Sequence, residues 1–133
     1  MAGIVSYGSY IPYRRLKRAA IAEVLGVPAA KGERSVASFD EDSVSMAVEA
    51  TRDALRRVGT EKVRTLLFAT STPSYAEKLN AAIVSAGAQL PAESRAADLT
   101  GSVRAGLSAL VGDAHAISAV KNDIVGISCT ADI

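Results

Sequence analysis

Three features of this 133-residue chain could carry chemistry unaided: its one cysteine, its one histidine, and a basic run near the N-terminus. Cys129 could act as a nucleophile, but it sits inside the apolar run from Ile124 to Ala131. A thiol placed there reads as a small, inert core residue. His115 could exchange a proton near neutral pH. No carboxylate or cysteine stands at ligand spacing from it, so it reads as a surface or packed histidine, and no metal site is expected. Arg14, Arg15, Lys17 and Arg18 concentrate positive charge, and such a cluster either contacts phosphate groups or forms a solvated helix start. No glycine-rich loop of the Walker or dinucleotide-binding type is present.

The elements that must position these residues follow from apolar patterning. Gly3 to Ile11 reads as a strand, with Ile4, Val5, Tyr7 and Ile11 available for burial and Pro12 as its stop. Leu16 to Leu25 reads as a short helix closed by Gly26 and Pro28, and Lys31 to Ser38 as a polar connection. A stronger helix is predicted from Glu41 to Val58, with acidic residues at its start and capping-box spacing between Ser38 and Glu41. Its apolar stripe is Val44, Ala47, Val48, Leu55 and Val58.

Val63 to Thr70 is a nearly unbroken apolar run, the pattern of a parallel strand buried on both faces. A polar loop follows, then a helix bearing Leu79, Ile83, Val84 and Gly87. Arg95 to Leu99 reads as a strand, and Gly101 and Ser102 turn the chain into a helix bearing Val103, Leu107, Leu110, Ala114 and Ile117. Ile124 to Ala131 reads as the last strand. The order β-α-α-β-α-β-α-β predicts an α/β fold, a mostly parallel sheet with helices on both faces. Ligands of such sheets sit beyond the carboxyl ends of the strands. Tyr10 to Arg15, Thr70 to Tyr75 and Asp98 to Arg104 fall there.

Composition agrees with this class. The chain is 49% hydrophobic, only 5% aromatic and carries 25 alanines, so its layers can approach closely. Fifteen basic and fourteen acidic residues leave a net charge of +1, which argues against a nucleic-acid binder held by phosphate contacts. One cysteine excludes a disulfide scaffold. No apolar run reaches the roughly 18 residues of a membrane helix, and the first residues lack the charge order of a signal peptide. The expectation is a single soluble, cytoplasmic unit spanning residues 1–133, with no membrane contact.

Four motifs, in order, carry a family resemblance. Gly3-Ile4-Val5-Ser6-Tyr7-Gly8-Ser9-Tyr10-Ile11-Pro12 resembles the opening strand of hydroxymethylglutaryl-CoA synthases, especially the archaeal type, and of ketoacyl-acyl carrier protein synthases III. Lys31-Gly32-Glu33-Arg34-Ser35-Val36 with Phe39-Asp40-Glu41-Asp42-Ser43 is similar to the segment leading into that family's first long helix. Ser74-Tyr75-Ala76-Glu77-Lys78 is similar to its P-Y-A-x-K segment. Ala96-Ala97-Asp98-Leu99-Thr100-Gly101-Ser102-Val103-Arg104-Ala105-Gly106 resembles its nucleophile turn. The chain thus resembles the thiolase superfamily along its whole length.

That resemblance implies a five-layered α-β-α-β-α fold of two similar halves, of which this chain is the N-terminal thiolase-like half-fold. The family's catalytic His and Asn belong to the second half. Val103 falls at the position of the catalytic cysteine, where helix-start N–H groups would lower a thiol's pKa. Valine forms no thioester, and Ser102, the nearest hydroxyl, reads as a helix cap. Ser71 falls near the family's general-base glutamate, and a hydroxyl is a poor base at neutral pH. Arg14, Arg15, Lys17 and Arg18 fall where related synthases bind CoA phosphates.

The resemblance further implies acyl transfer with carbon–carbon bond formation on a CoA or acyl carrier thioester, with no covalently bound cofactor. It also implies homo- or hetero-oligomers with thiolase-like subunits. With Val103 in place, catalysis is expected to be impaired or covalent-free. The alternatives are a non-catalytic thiolase-like subunit and a truncated fragment acting as scaffold or binding partner.

Overall fold

The computed structural model describes residues 2–120 and 123–133. Its centre is β3 (Val63–Thr70), the apolar run expected to be buried. It pairs in parallel with β4 (Arg95–Thr100) on one side and β5 (Val125–Thr130) on the other, giving the order β4-β3-β5. Because successive strand residues face opposite ways, β3 supplies two cores. Leu66 and Phe68, both fully buried, face α2 (Ser43–Leu55) and α3 (Asn80–Gly87), together with Val44, Ala47, Ala81, Val84 and Cys129. Ala69 and Leu67 face α4 (Ala105–Ser118), where Ala105 and Ala109 let the helix approach closely. Burying each of the larger β3 side chains contributes about 1.5–3 kcal/mol. Helices therefore cover both faces of a parallel sheet, as expected.

The long helix starts later than its acidic residues suggest. Asp42 is its N-cap, accepting the Ser45 amide at 2.7 Å while the Ser45 hydroxyl accepts the Asp42 amide at 2.8 Å. Ser38 and Glu41 do pair, with the Ser38 amide donating to the Glu41 carboxylate at 2.7 Å. They close the preceding turn rather than the helix.

Three differences from the sequence reading concern the N-terminal third. Gly3 to Ile11 forms no strand, and Ile4, Val5, Tyr7 and Ile11 are all exposed. The segment instead rides on the C-terminal half of α2. The Ser6 hydroxyl donates to the Ala54 carbonyl at 2.7 Å, and the Ser9 amide donates to the Asp53 carboxylate at 3.1 Å. A side chain at Gly8 would meet the Ala50 carbonyl oxygen at 2.6 Å, so only glycine allows this seat. Strand-like residues without a partner edge cannot form a ladder.

The basic run and the polar connection form an antiparallel hairpin, the second difference. β1 (Arg15–Lys17) pairs with β2 (Glu33–Ser35), with Leu16 opposite Arg34. The expected helix shortens accordingly to α1 (Arg18–Leu25), closed by Gly26 in the left-handed conformation. The observed order is thus β-α-β-α-β-α-β-α-β.

Candidate functional site

The carboxyl ends of the three parallel strands converge on threonines. Thr70 of β3 stands opposite Thr100 of β4, and Thr130 of β5 stands opposite Ala69. Beyond them lie the loop starting at Ser71, the turn from Gly101 to Arg104, and the residues after β5.

Asp132 organises this end. Its Oδ1 accepts the Ser71 amide at 2.6 Å, the Ser71 hydroxyl at 2.9 Å and the Thr70 hydroxyl at 3.0 Å. Partial burial pushes this carboxyl up. The Ser71 amide and the Ser71 and Thr70 hydroxyls outweigh that and hold it below the ordinary aspartate value. The loop is fixed from beneath as well. The buried Ser43 hydroxyl donates to the Thr72 carbonyl at 2.8 Å and lies 3.0 Å from the Ser74 hydroxyl. Ser71 is therefore a carboxylate-bonded donor.

Asp98, at the end of β4, performs a second anchoring. It accepts the Asn80 amide at 2.8 Å, the Asn80 side-chain nitrogen at 2.9 Å and the Ala81 amide at 2.6 Å. A carboxylate at the start of α3 satisfies orphan N–H groups and complements the helix dipole.

Val103 sits in the turn between β4 and α4, one residue before the Arg104 N-cap, and is 89% exposed. Gly101 enters that turn with φ +84. Ser102 accepts the Arg104 amide at 3.2 Å, so it shapes the turn without capping α4. Cys129 lies on the α2 side of the sheet, donating to the Ala47 carbonyl at 3.7 Å. Burial pushes its thiol up, and the neighbouring Thr51 hydroxyl offsets only part of this. Such a thiol is unreactive at neutral pH. His115 is exposed on the last turn of α4. Among the described residues no group of three metal-ligating side chains comes together.

A cleft of about 690 Å³ connects the strand ends to the β1–β2 hairpin. Asp132, Thr130, Tyr10, Arg34, Leu16 and Met46 are among its walls. Of the four basic residues singled out from sequence, none lines this cleft. Arg14 and Arg15 border a separate shallow recess with Tyr13 and Val36. Arg15 spends its guanidinium on the carbonyls of Pro12, Tyr13 and Arg14 and on the Ser35 hydroxyl. Lys17 and Arg18 are exposed. Arg34 is the basic residue that faces the cleft. Its signal was its register opposite Leu16, which only the hairpin reveals.

No helix among the described residues is long and apolar enough to cross a membrane. No family model matches the chain. Curated relatives do. It is 38% identical over 119 residues to hydroxymethylglutaryl-CoA synthase of Archaeoglobus fulgidus, covering 83% of this chain and 35% of that protein. It is 35% identical over 111 residues to the Pyrococcus furiosus hydroxymethylglutaryl-CoA synthase, covering 81% of this chain and 32% of that protein. The fold superposes on β-ketoacyl-[acyl carrier protein] synthase III from Thermus thermophilus with a TM-score of 0.78 and 30% identity, covering 89% of this chain and 39% of that one. The chain thus spans about a third of the length of the curated relatives it matches. Matched sequence over four-fifths of its residues and a shared sheet-and-helix arrangement place this chain in the thiolase-like family of hydroxymethylglutaryl-CoA synthases and ketoacyl-acyl carrier protein synthases III.

Proposed function

We propose that residues 1–133 are the N-terminal half of a thiolase-type acyl-thioester protein and bind a CoA or acyl carrier thioester without forming an acyl-enzyme bond. The observation that carries this reading is the exposed Val103 in the turn after β4, where the family resemblance puts the nucleophile. The helix start beyond it still offers N–H groups that can polarise a thioester carbonyl. The cleft from Asp132 to Arg34 supplies the binding volume. Arg34 supplies charge for the phosphates of CoA, with Arg14 and Arg18 carried on the facing side of the β1–β2 hairpin.

Calorimetry with CoA and intact-mass measurement after incubation with acetyl-CoA test the proposal together. Binding weakened by Arg34→Gln, with no acetyl adduct, supports it. A stoichiometric adduct on the unaltered chain overturns it.

A second reading, a non-catalytic subunit pairing with another thiolase-like polypeptide, is favoured by α4. Ala105 and Ala109 pack on the sheet, yet the opposite side presents Leu107 (61% exposed), Leu110 and Val111 with no acidic or lysine side chain. A helix apolar on both sides is built to be covered on both. Sedimentation of the chain and of Leu107→Glu/Leu110→Glu distinguishes the readings. Association lost in the double variant favours the subunit.

A further inference from the structure

α4 lies on the sheet through its smallest residues, Ala105, Gly106, Ala109 and Gly112. A methyl added at Gly106 would touch Thr130 at 3.5 Å, and one at Gly112 would touch Leu67 at 3.6 Å. Such residues bring the helix close but bury little apolar area, so each contact stabilises little. One side chain does more. Asp113 reaches both neighbouring strands, accepting the Thr65 hydroxyl of β3 at 2.7 Å and the Ser128 hydroxyl of β5 at 2.9 Å. Among the described residues no other side chain of α4 hydrogen-bonds to the sheet.

The carboxyl sits directly over β5. A side chain at Gly126 would come within 3.0 Å of the Asp113 Cγ and 2.7 Å of the Thr65 hydroxyl, so glycine leaves the space this group fills. No opposite charge answers it there. The sheet beneath α4 presents Thr65, Leu67, Leu99, Gly126 and Ser128, none of them charged. Asp113 also borders a groove of about 400 Å³, to which α2 contributes no charged residue. Among the described residues its other titratable groups are Tyr7, which is exposed, Cys129, which is buried, and Asp123, which is paired with Lys62. His115 is exposed and, two residues along α4, lies on the far side of the helix. A carboxyl in such a place is costly when charged and not when neutral.

We propose that Asp113 is a proton-operated latch: neutral, it fastens α4 to β3 and β5, and ionised, it loosens the helix together with the turn that carries position 103. In the neutral form one carboxyl oxygen accepts from Thr65 and the other donates its proton to Ser128, so no charge is buried. When the proton leaves to water through the groove, the anion keeps two hydroxyl donors but gains no cation. It relaxes by swinging toward the groove. The start of α4 has little else to hold it, because Arg104 at its N-cap makes no side-chain cap bond and Ser102 serves the turn instead. Asp113 lies eight residues beyond Ala105, about 12 Å along a rigid helix, so its motion is carried to that end. Burial pushes the carboxyl up against the two hydroxyls, which puts release above the ordinary aspartate range. The latch concerns how α4 is held and stands apart from what the turn binds.

NMR of the 133-residue chain from about pH 4 to about pH 8 tests this. Amide exchange on α4, divided by that of Asp113→Asn at the same pH to cancel the intrinsic rate, should rise by about threefold or more across the range. The Leu66 and Phe68 amides of β3 should rise less. The Arg104 and Ala105 amide shifts should follow the Asp113 carboxyl signal with one midpoint. Ser128→Ala removes a donor to the anion and should raise that midpoint. If Asp113→Asn does not fold, Ser128→Ala carries the test, with α4 exchange referred to the β3 amides.

Loosening confined to α4, with its start titrating in step and the midpoint raised in Ser128→Ala, supports the latch. An exchange ratio that stays flat with pH overturns it. A rise shared equally by β3 shows that Asp113 sets global stability alone, and overturns it too. A midpoint that stays put or falls in Ser128→Ala places the titrating group outside this cluster, which also overturns the proposal.

Discussion

The Asp132 carboxylate takes both the amide and the hydroxyl of Ser71, at 2.6 Å and 2.9 Å, through one oxygen. Sixty-one residues separate the two, so this contact ties the end of β5 to the loop after β3. It braces the part of the cleft wall that Asp132 forms.

Replacing Asp132 with Asn should therefore lower stability by about 1 kcal/mol at neutral pH, a figure kept small because the site is solvent-facing. Its pKa is depressed in the fold, so the carboxylate stabilises above the unfolded value and ceases to do so as pH falls through the folded one. The difference between the two proteins should close in acid, below about pH 4. Urea midpoints measured across that range check this, and a gap that persists at low pH would contradict it.

Asp113 should behave in the opposite sense. It is 4% exposed, with the Thr65 hydroxyl at 2.7 Å and the Ser128 hydroxyl at 2.9 Å. Burial pushes its carboxyl up, and the two hydroxyls offset this only in part. Raised pKa means stability that is present below the unfolded value and lost as pH rises through the folded one. Asp113→Asn, which can still accept from Thr65, should flatten that loss. Thermal midpoints of the variant should vary less than those of the parent as pH rises from 4.

Gly8→Ala tests the seat of the N-terminal segment. The added methyl would enter the Ala50 carbonyl at 2.6 Å. Either the segment lifts from α2 or the fold loses about 1–3 kcal/mol. Exchange at the Ser6 and Ser9 amides distinguishes these outcomes, and unchanged exchange with unchanged stability would show the close approach to be wrong.

Thiol labelling tests the burial of Cys129 and the exposure of position 103. Cys129 should react slowly in the native chain, because it is 8% exposed and its thiol is pushed up. Val103→Cys should add one rapidly labelled thiol without changing the melting temperature by more than about 2 °C. Rapid labelling of the parent chain would overturn the assignment of Cys129 to the core.

Legibility in the sequence followed the range of the forces involved. β3 was readable because its apolar run is largely buried by the fold itself, and β5 because its apolar run pairs with β3, although only Cys129 of it is buried. The long helix was readable from its stripe, although its start was misplaced because Ser38–Glu41 and Asp42–Ser45 both satisfy capping spacing. The β1–β2 hairpin was not, since Arg15-Leu16-Lys17 and Glu33-Arg34-Ser35 are too short for an alternating pattern to betray a strand. The site divided the same way. Val103 and Ser71 were singled out through motif order alone, whereas Asp132 and Arg34 stand out through contacts with residues distant in sequence.

The exposure of Val103 has a consequence for the turn that displays it. A side chain 89% exposed contributes little to that turn, which is shaped instead by Gly101 and Ser102. Within residues 2–120 and 123–133, the backbone course into α4 is therefore set by its neighbours rather than by the side chain at position 103.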